Sequence, residues 1–295
     1  MGRKLVLTGT TLTDPDAPRL TNDPILPNEG ALLLLDPTHP AEEWASGVPA
    51  HNDLFPNIAY QQAKELVPAG TEETLGARFV IGPDFSSGDG SVLLERTGNG
   101  GLHTIFSRVN LGTANQYIYV LGGADIDAYV AANKAHSWYT AVWGLITRPV
   151  LTIPSGGWPH SRVDQTGKIA LFYTRPGSGT LYLPNDSTRI GGVNEGANTT
   201  TPNTPFFQDI GVTTGAAATT LTNRAWMQNR SFAGVGNYEA APSMIFYGFY
   251  VEDLTVSGRT YAEVNALVQA KYTADVKTSG GRYYGDTYTA PATLP

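Results

Sequence analysis

Residues 137–147, SWYTAVWGLIT, and residues 243–254, SMIFYGFYVEDL, carry the decision about the fold. Both are dense in β-branched and aromatic side chains, which suit a pleated, packed surface. Side chains alternate across a strand, so Trp138, Thr140 and Val142 share one face of the first stretch while Tyr139, Ala141 and Trp143 share the other. Residues of this size and character require that at least one of the two sets be core.

Further strand-like runs lie around these two: RFVI (78–81), SVLLE (91–95), LHTIFSRV (102–109), QYIYVL (116–121), KIALFYT (168–174), GTLYLP (179–184) and TPFFQDI (204–210). Turn-forming clusters separate them, among them Gly88-Asp89-Gly90, Gly98-Asn99-Gly100-Gly101, Pro176-Gly177-Ser178-Gly179 and Pro184-Asn185-Asp186. Parallel pairing would need crossovers of a dozen or more residues, so the strands are expected to pair antiparallel. The fold class this predicts is mainly β: an antiparallel two-sheet sandwich of jelly-roll type with a few short helices. Helices are expected over Ile58–Val67, capped by Asn57 and stopped by Pro68, over Ile126–Asn133, and over Tyr261–Tyr272. In the last, Val264, Leu267 and Val268 share a face.

The domain reading places an extended, proline-rich N-terminal arm at 1–57, the sandwich at 58–277, and an extended C-terminal tail at 278–295. Within the arm, Ala31-Leu32-Leu33-Leu34-Leu35 reads as a buried strand. An extended segment cannot satisfy its own backbone groups, so both arms are expected to lie on the domain or to clasp a neighbouring copy.

Hydrophobic residues make up 41% of the 295-residue chain, enough for a sizeable core. Charged residues make up only 15%, against roughly 25% in an average soluble domain, a balance that favours turns and subunit contacts over a charged surface. A net charge of -7 without a lysine or arginine cluster excludes a nucleic-acid-binding body. There is no cysteine, and the N-terminal residues MGRKLVLTGTTLTDP contain no signal-peptide core or membrane span. The expected setting is therefore cytoplasmic until assembly, without membrane insertion.

No phosphate-binding loop, dinucleotide fingerprint, nucleophile elbow or zinc helix is present, and no catalytic residue or cofactor is expected. Gly98-Asn99-Gly100-Gly101 reads as a hairpin turn. The histidines at 39, 51, 103, 136 and 160 lack metal-ligand spacing and are read as structural or subunit-contact groups, although His51 and Asp53 could share one side of a strand. Asp84 and Asp89 could offer oxygens to calcium but lack the spacing of a calcium loop, and Asp125 and Asp127 are read as helix N-terminal acids. A glycosidase would need paired carboxylates, for which Glu95, Glu239 and Glu252 are the candidates. Candidate glycan or subunit contacts are aromatic: Trp158, Trp226, Tyr283 and Tyr284.

Three stretches taken together carry a family resemblance: GALLLLDPTHPAEEWASGVPAHNDLFPNIAYQQA (30–63), ERTGNGGLHTIFSRVN (95–110) and IFYGFYVEDLTVSGRTYAEVNALVQAKY (245–272). With YVAANKAHSWYTAVWGLITR (129–148), the chain resembles structural proteins of tailed bacteriophages that carry a concanavalin A-like, laminin-G-like sandwich. The resemblance implies a virion component, either a capsid decoration or fibre protein or a tail or baseplate protein. It implies a homo-oligomer that contacts other virion proteins and, as an alternative role, a module that binds host surface glycan. It carries no fixed active-site residues, and the calcium ligands of legume lectins are missing here.

Overall fold

A computed structural model of the chain describes residues 23–44, 47–82, 90–109, 117–133, 136–148, 162–163, 169–170, 204–211, 224–229 and 243–294. In chain order the strands are β1 (Ala31–Leu35), β2 (Thr38–His39), β3 (Glu42–Glu43), β4 (Leu54–Phe55), β5 (Ala77–Ile81), β6 (Val92–Arg96) and β7 (Leu102–Phe106). There follow β8 (Tyr117–Gly122), β9 (Trp138–Arg148), β10 (Arg162–Val163), β11 (Ile169–Ala170), β12 (Thr204–Gly211), β13 (Arg224–Asn229) and β14 (Ser243–Asp253). The helices are α1 (Tyr60–Leu66), α2 (Glu72–Leu75), α3 (Ala124–Ala132), α4 (Leu254–Ser257) and α5 (Tyr261–Tyr272), and α5 runs on into a π turn at Thr273–Lys277.

The protein is mainly β with antiparallel pairing. The larger sheet runs β12-β9-β14-β7-β6 with β1 also on β14, and the smaller runs β13-β8-β5-β4. The two stretches that decide the fold, β9 and β14, lie side by side at the centre of the larger sheet. The other edge of β14 is shared end to end, by β7 at Met244–Phe246 and by β1 at Phe249–Glu252.

Both faces of β9 are core. Trp138, Val142 and Ile146 join a cluster that includes Phe55, Ala77, Phe79 and Val120 of the smaller sheet, while Tyr139, Ala141 and Trp143 join a second cluster with Val264, Val268 and Tyr272 of α5. The alternation read from the sequence holds, and because each face has its own cover, neither set is left in solvent.

On β14 the alternation slips by one residue. Met244 and Phe246 share a cluster with Phe249 and Val251, because the register shifts between Phe246 and Gly248. This is the mark of a bulge. Gly248 fits it: a Cβ there would be driven into the indole of Trp143.

Helix α5 has the predicted bounds and a capping box between Thr260 and Glu263, with Val264 and Val268 buried but Leu267 37% exposed. α3 begins two residues earlier than expected, with Asp125 and Asp127 in its first turn. α1 begins two residues late because Asn57 does not cap it and instead brackets three segments. Its Oδ1 accepts from the Leu34 and Ala59 amides, and its Nδ2 donates to the Leu32 and Leu75 carbonyls. The turn at residues 97–101 closes the β6–β7 hairpin as predicted, with Gly100 at φ +84°. β13, which carries Trp226, has no counterpart among the predicted strands.

Residues 1–22 of the expected N-terminal arm lie outside the described residues, and the described parts of both arms lie on the domain. β1 is buried along its whole length and feeds both clusters. The tail from residue 278 folds back over the larger sheet and is bonded to the body through Arg282, Tyr283, Asp286, Thr287 and Thr289. The clusters at 176–179 and 184–186 and the strand at 179–184 lie outside the described residues.

Candidate functional site

The densest polar geometry lies on the face of the larger sheet covered by α5 and the tail. The first part is an ionic knot joining segments far apart in sequence. Lys271 of α5 places Nζ 3.3 Å from Asp23, 3.3 Å from Asp36 and 3.1 Å from Asp275. Arg282 of the tail bonds both Asp36 and Asp275. Tyr283 donates to Asp36 at 2.8 Å and accepts from Thr38, and His39 pairs with Asp23 at 3.0 Å.

Burial disfavours the charged carboxyl of Asp23, but the His39 hydrogen bond and the Lys271 charge more than offset it and hold the pKa at about 2. Asp36 is likewise held below the ordinary carboxylate range, since Lys271 and Arg282 outweigh its desolvation. Burial would lower Lys271, yet Asp36, Asp23 and Asp275 keep it raised.

The second part is a row of side chains across three strands beneath the tail. His103 of β7 places Nδ1 2.7 Å from Glu95 of β6, and Nε2 2.8 Å from the Thr147 hydroxyl of β9. Burial pushes the His103 imidazole below its ordinary pKa, and Glu95 only partly restores it. The neutral ring therefore donates from Nδ1 to the carboxylate and accepts the Thr147 proton at Nε2. Desolvation would raise Glu95, but hydrogen bonds from Thr289 and His103 hold it below the usual range.

The connectivity of hydroxyl, imidazole and carboxylate is that of an acyl-transfer triad. The surroundings are not. Thr147 is 3% exposed, leaving no place beside it for a reacting atom. Both Glu95 oxygens are taken by the tail, from Thr289 N at 2.7 Å and Thr289 Oγ1 at 2.6 Å. What the row does is hold the tail, and other groups extend that hold. Gly98 N donates to Thr287 O at 2.7 Å, Asn99 N to Asp286 at 2.8 Å and Tyr247 to Asp286 at 3.1 Å. Arg148 donates to the carbonyls of Pro291 and Leu294, and also to Phe106 O beneath them.

Two further pairings fasten β14. Glu252, fully buried, bonds Tyr250 and Arg259, and Arg259 also reaches Ile25 O. Asp253 accepts from Tyr129 and His136 and caps α4 through the Thr255 and Val256 amides.

Set against the sequence candidates, Glu95 lies opposite His103, which lies opposite Ile245 of β14, seven residues along that strand from Glu252, so the two carboxylates are not neighbours. Tyr283 is corrected as a glycan or subunit contact: it is 2% exposed, because its ring stacks on Tyr247 and its hydroxyl is spent on Asp36. Tyr284 is 49% exposed and free to meet a partner. The backbone of Trp226 pairs with Val120 in the smaller sheet. Trp158, Glu239, Asp84, Asp89 and His160 lie outside the described residues.

Asp53 accepts from Ala50 within the 50–53 turn, and His51 ties that turn to the end of β5 by accepting from the Ile81 amide, so the two do not converge on one partner. Sequence reasoning missed Asp36, Thr147, Arg148, Lys271, Arg282 and Thr289, and no local pattern marks them. Among the described residues no group of three acidic or histidine side chains is placed to hold a metal ion, and no helix is long and apolar enough to cross a membrane.

No protein-family model, curated protein or solved structure matches the chain.

Proposed function

We propose that the chain is a non-enzymatic structural subunit of a bacteriophage particle, a capsid decoration or fibre protein or a tail or baseplate component, that packs against copies of itself and other particle proteins. The observation that carries the structural reading is the use made of its buried ionisable groups. Asp23, Asp36, Lys271 and Arg282 in one cluster, and Glu95 and His103 in another, join distant segments of chain, and although Asp23, Lys271 and Arg282 line an open pocket of about 460 Å³, their charged groups are spent on one another. The fold proposed with it is a two-sheet, concanavalin A-like sandwich, supported by the apolar cluster to which both sheets contribute.

The low charge and the resemblance of residues 30–63, 95–110 and 245–272 to tailed-phage structural proteins supply the particle. Antibody raised to the chain and imaged on intact virions is the test. Regular labelling of head or tail supports the reading, and bare particles from a lysate containing the protein sink it.

A second reading, binding of host surface glycan, is favoured by one pocket. It holds about 310 Å³ and is lined by Trp44, Val48, Pro49, Asp53, Leu54, Phe55 and Phe79. The buried Trp44 indole N–H has no hydrogen-bond partner. Aromatic walls beside a carboxylate suit a sugar ring. A glycan array probed with the wild-type chain and with Trp44→Phe separates this reading from the first.

A further inference from the structure

We infer that the groove occupied by residues 286–294 is an exchange site, which takes the same segment from a second copy while its own segment crosses to that copy. The inference rests on the structural-subunit reading and names the surface through which copies would join.

The pivot is sharply placed. Tyr283 is locked by Asp36 and by stacking on Tyr247, whereas Tyr284 is half exposed and Gly285 has φ +68° with open space where a Cβ would stand. Left-handed backbone with no side chain can be redirected there without a clash.

Beyond the pivot the hold is shallow. None of residues 284–294 is buried. Among the described residues one backbone-to-backbone bond, Gly98 N to Thr287 O, ties them to the sheet, side-chain bonds run to Glu95, Asn99, Tyr247 and Arg148, and the Tyr288 ring lies edge-on to His103. Segments held in this way open at far lower cost than a core strand. The groove keeps its shape when the segment leaves, because the His103 bond to Thr147 and the Arg148 bond to Phe106 O are made by the body alone.

The groove also specifies its occupant. Glu95 needs two donors on one residue, which Thr289 supplies, and Arg148 needs carbonyls three residues apart, at Pro291 and Leu294. An identical segment from a second copy meets both demands with the same bonds. Exchange is then decided by concentration: a short tether gives its own segment an effective concentration in the millimolar range, which neighbours match only when closely packed. A particle surface is such a place.

The chain has no cysteine, which makes the test clean. A Cβ built on Gly98 stands 3.5 Å from the Thr287 Cβ, within the roughly 3.5–4.5 Å spanned by disulfides. The double variant Gly98→Cys/Thr287→Cys is purified reduced, equilibrated at a series of concentrations, oxidised and run on a non-reducing gel. Exchange gives covalent multimers that rise from a trace at about 1 µM to roughly half of the chains at about 1 mM. A fully oxidised product that stays monomeric across the series overturns the inference. Light scattering on the wild-type chain separates the two failures: an oligomer with only intrachain disulfide sinks exchange and leaves the subunit reading standing, while a monomer at about 1 mM sinks the subunit reading as well.

Discussion

The two faces of the larger sheet are closed by different physics. On one, Val142, Ile146, Met244, Phe246, Phe249 and Val251 share an apolar cluster with Phe55, Phe79 and Val120. Toward α5 and the tail, the aromatic patch of Tyr139, Trp143, Tyr247 and Tyr250 is ringed by the ionic knot and the Glu95–His103–Thr147 row. The first face is held by a non-directional force that tolerates any well-shaped apolar neighbour. The second is held by matched charges, each costly to bury once its partner is lost. One face is a core, and the other is a set of fastenings laid over a core.

The comparison is tested most strongly by a matched pair of substitutions. Lys271→Met leaves Asp23, Asp36 and Asp275 without their common cation and is expected to cost about 3–5 kcal/mol at pH 7. Phe249→Ala, on the other face, is expected to cost about 3–5 kcal/mol through lost burial and a cavity. Acid separates them. Asp23 has a folded pKa of about 2 against the 3.8 of a free aspartate side chain, so its stabilisation is present above pH 3.8 and is lost as pH falls toward 2, about 2 kcal/mol from this group alone. Without Lys271 part of that stabilisation is already gone, while the share supplied by His39 and the Ile25 amide remains. The Lys271→Met deficit therefore shrinks between pH 4 and 2 in chemical denaturation, while the Phe249→Ala deficit stays constant. Parallel behaviour of the two variants would erase the distinction between the faces.

The faces meet at the β14 bulge, where Gly248 lets the Trp143 indole lie against the backbone. Gly248→Ala is expected to cost about 1–3 kcal/mol by overpacking. The cost should fall in a Trp143→Phe background, where the smaller ring leaves room for the methyl. A double-mutant cycle measures this coupling, and strict additivity would mean that the bulge does not depend on the indole.

The apolar architecture was legible because it is periodic. The alternation in SWYTAVW separates the two clusters correctly, and Thr260 with Glu263 announces α5. The slip in SMIFYGFYVED was not legible, because one residue of bulge changes parity without changing composition. Nor were the fastenings: Asp36 meets Arg282 across 246 positions and Glu95 meets Thr289 across 194. No local spacing encodes such pairs. A polar tail rich in Gly, Tyr and Thr therefore reads as an arm seeking a neighbour, when its hydrogen-bond partners include a hairpin turn and three strands of the larger sheet.

The smallest expected effect probes the outermost fastening. Thr289→Val removes the hydroxyl donor to Glu95 but keeps the amide donor, a loss of about 1 kcal/mol that should be confined to the tail. Because the Gly98 and Asn99 amides are tied to Thr287 and Asp286, their hydrogen exchange reports tail opening, and it should quicken about fivefold while global stability is unchanged. The same amides carry a pH signature. Burial holds His103 below the 6.5 of a free imidazole, so the opened or unfolded chain binds a proton that the closed form resists. Its contribution is complete above pH 6.5 and falls away below it. Opening, corrected for intrinsic exchange, should thus become easier from about pH 7 to about pH 5 at Gly98 and Asn99, and His103→Gln should flatten that slope. A slope at Val142 and Val251 of β9 and β14 with none at Gly98 and Asn99 would mean that His103 is freed only when the whole fold opens, and that the tail does not cover it.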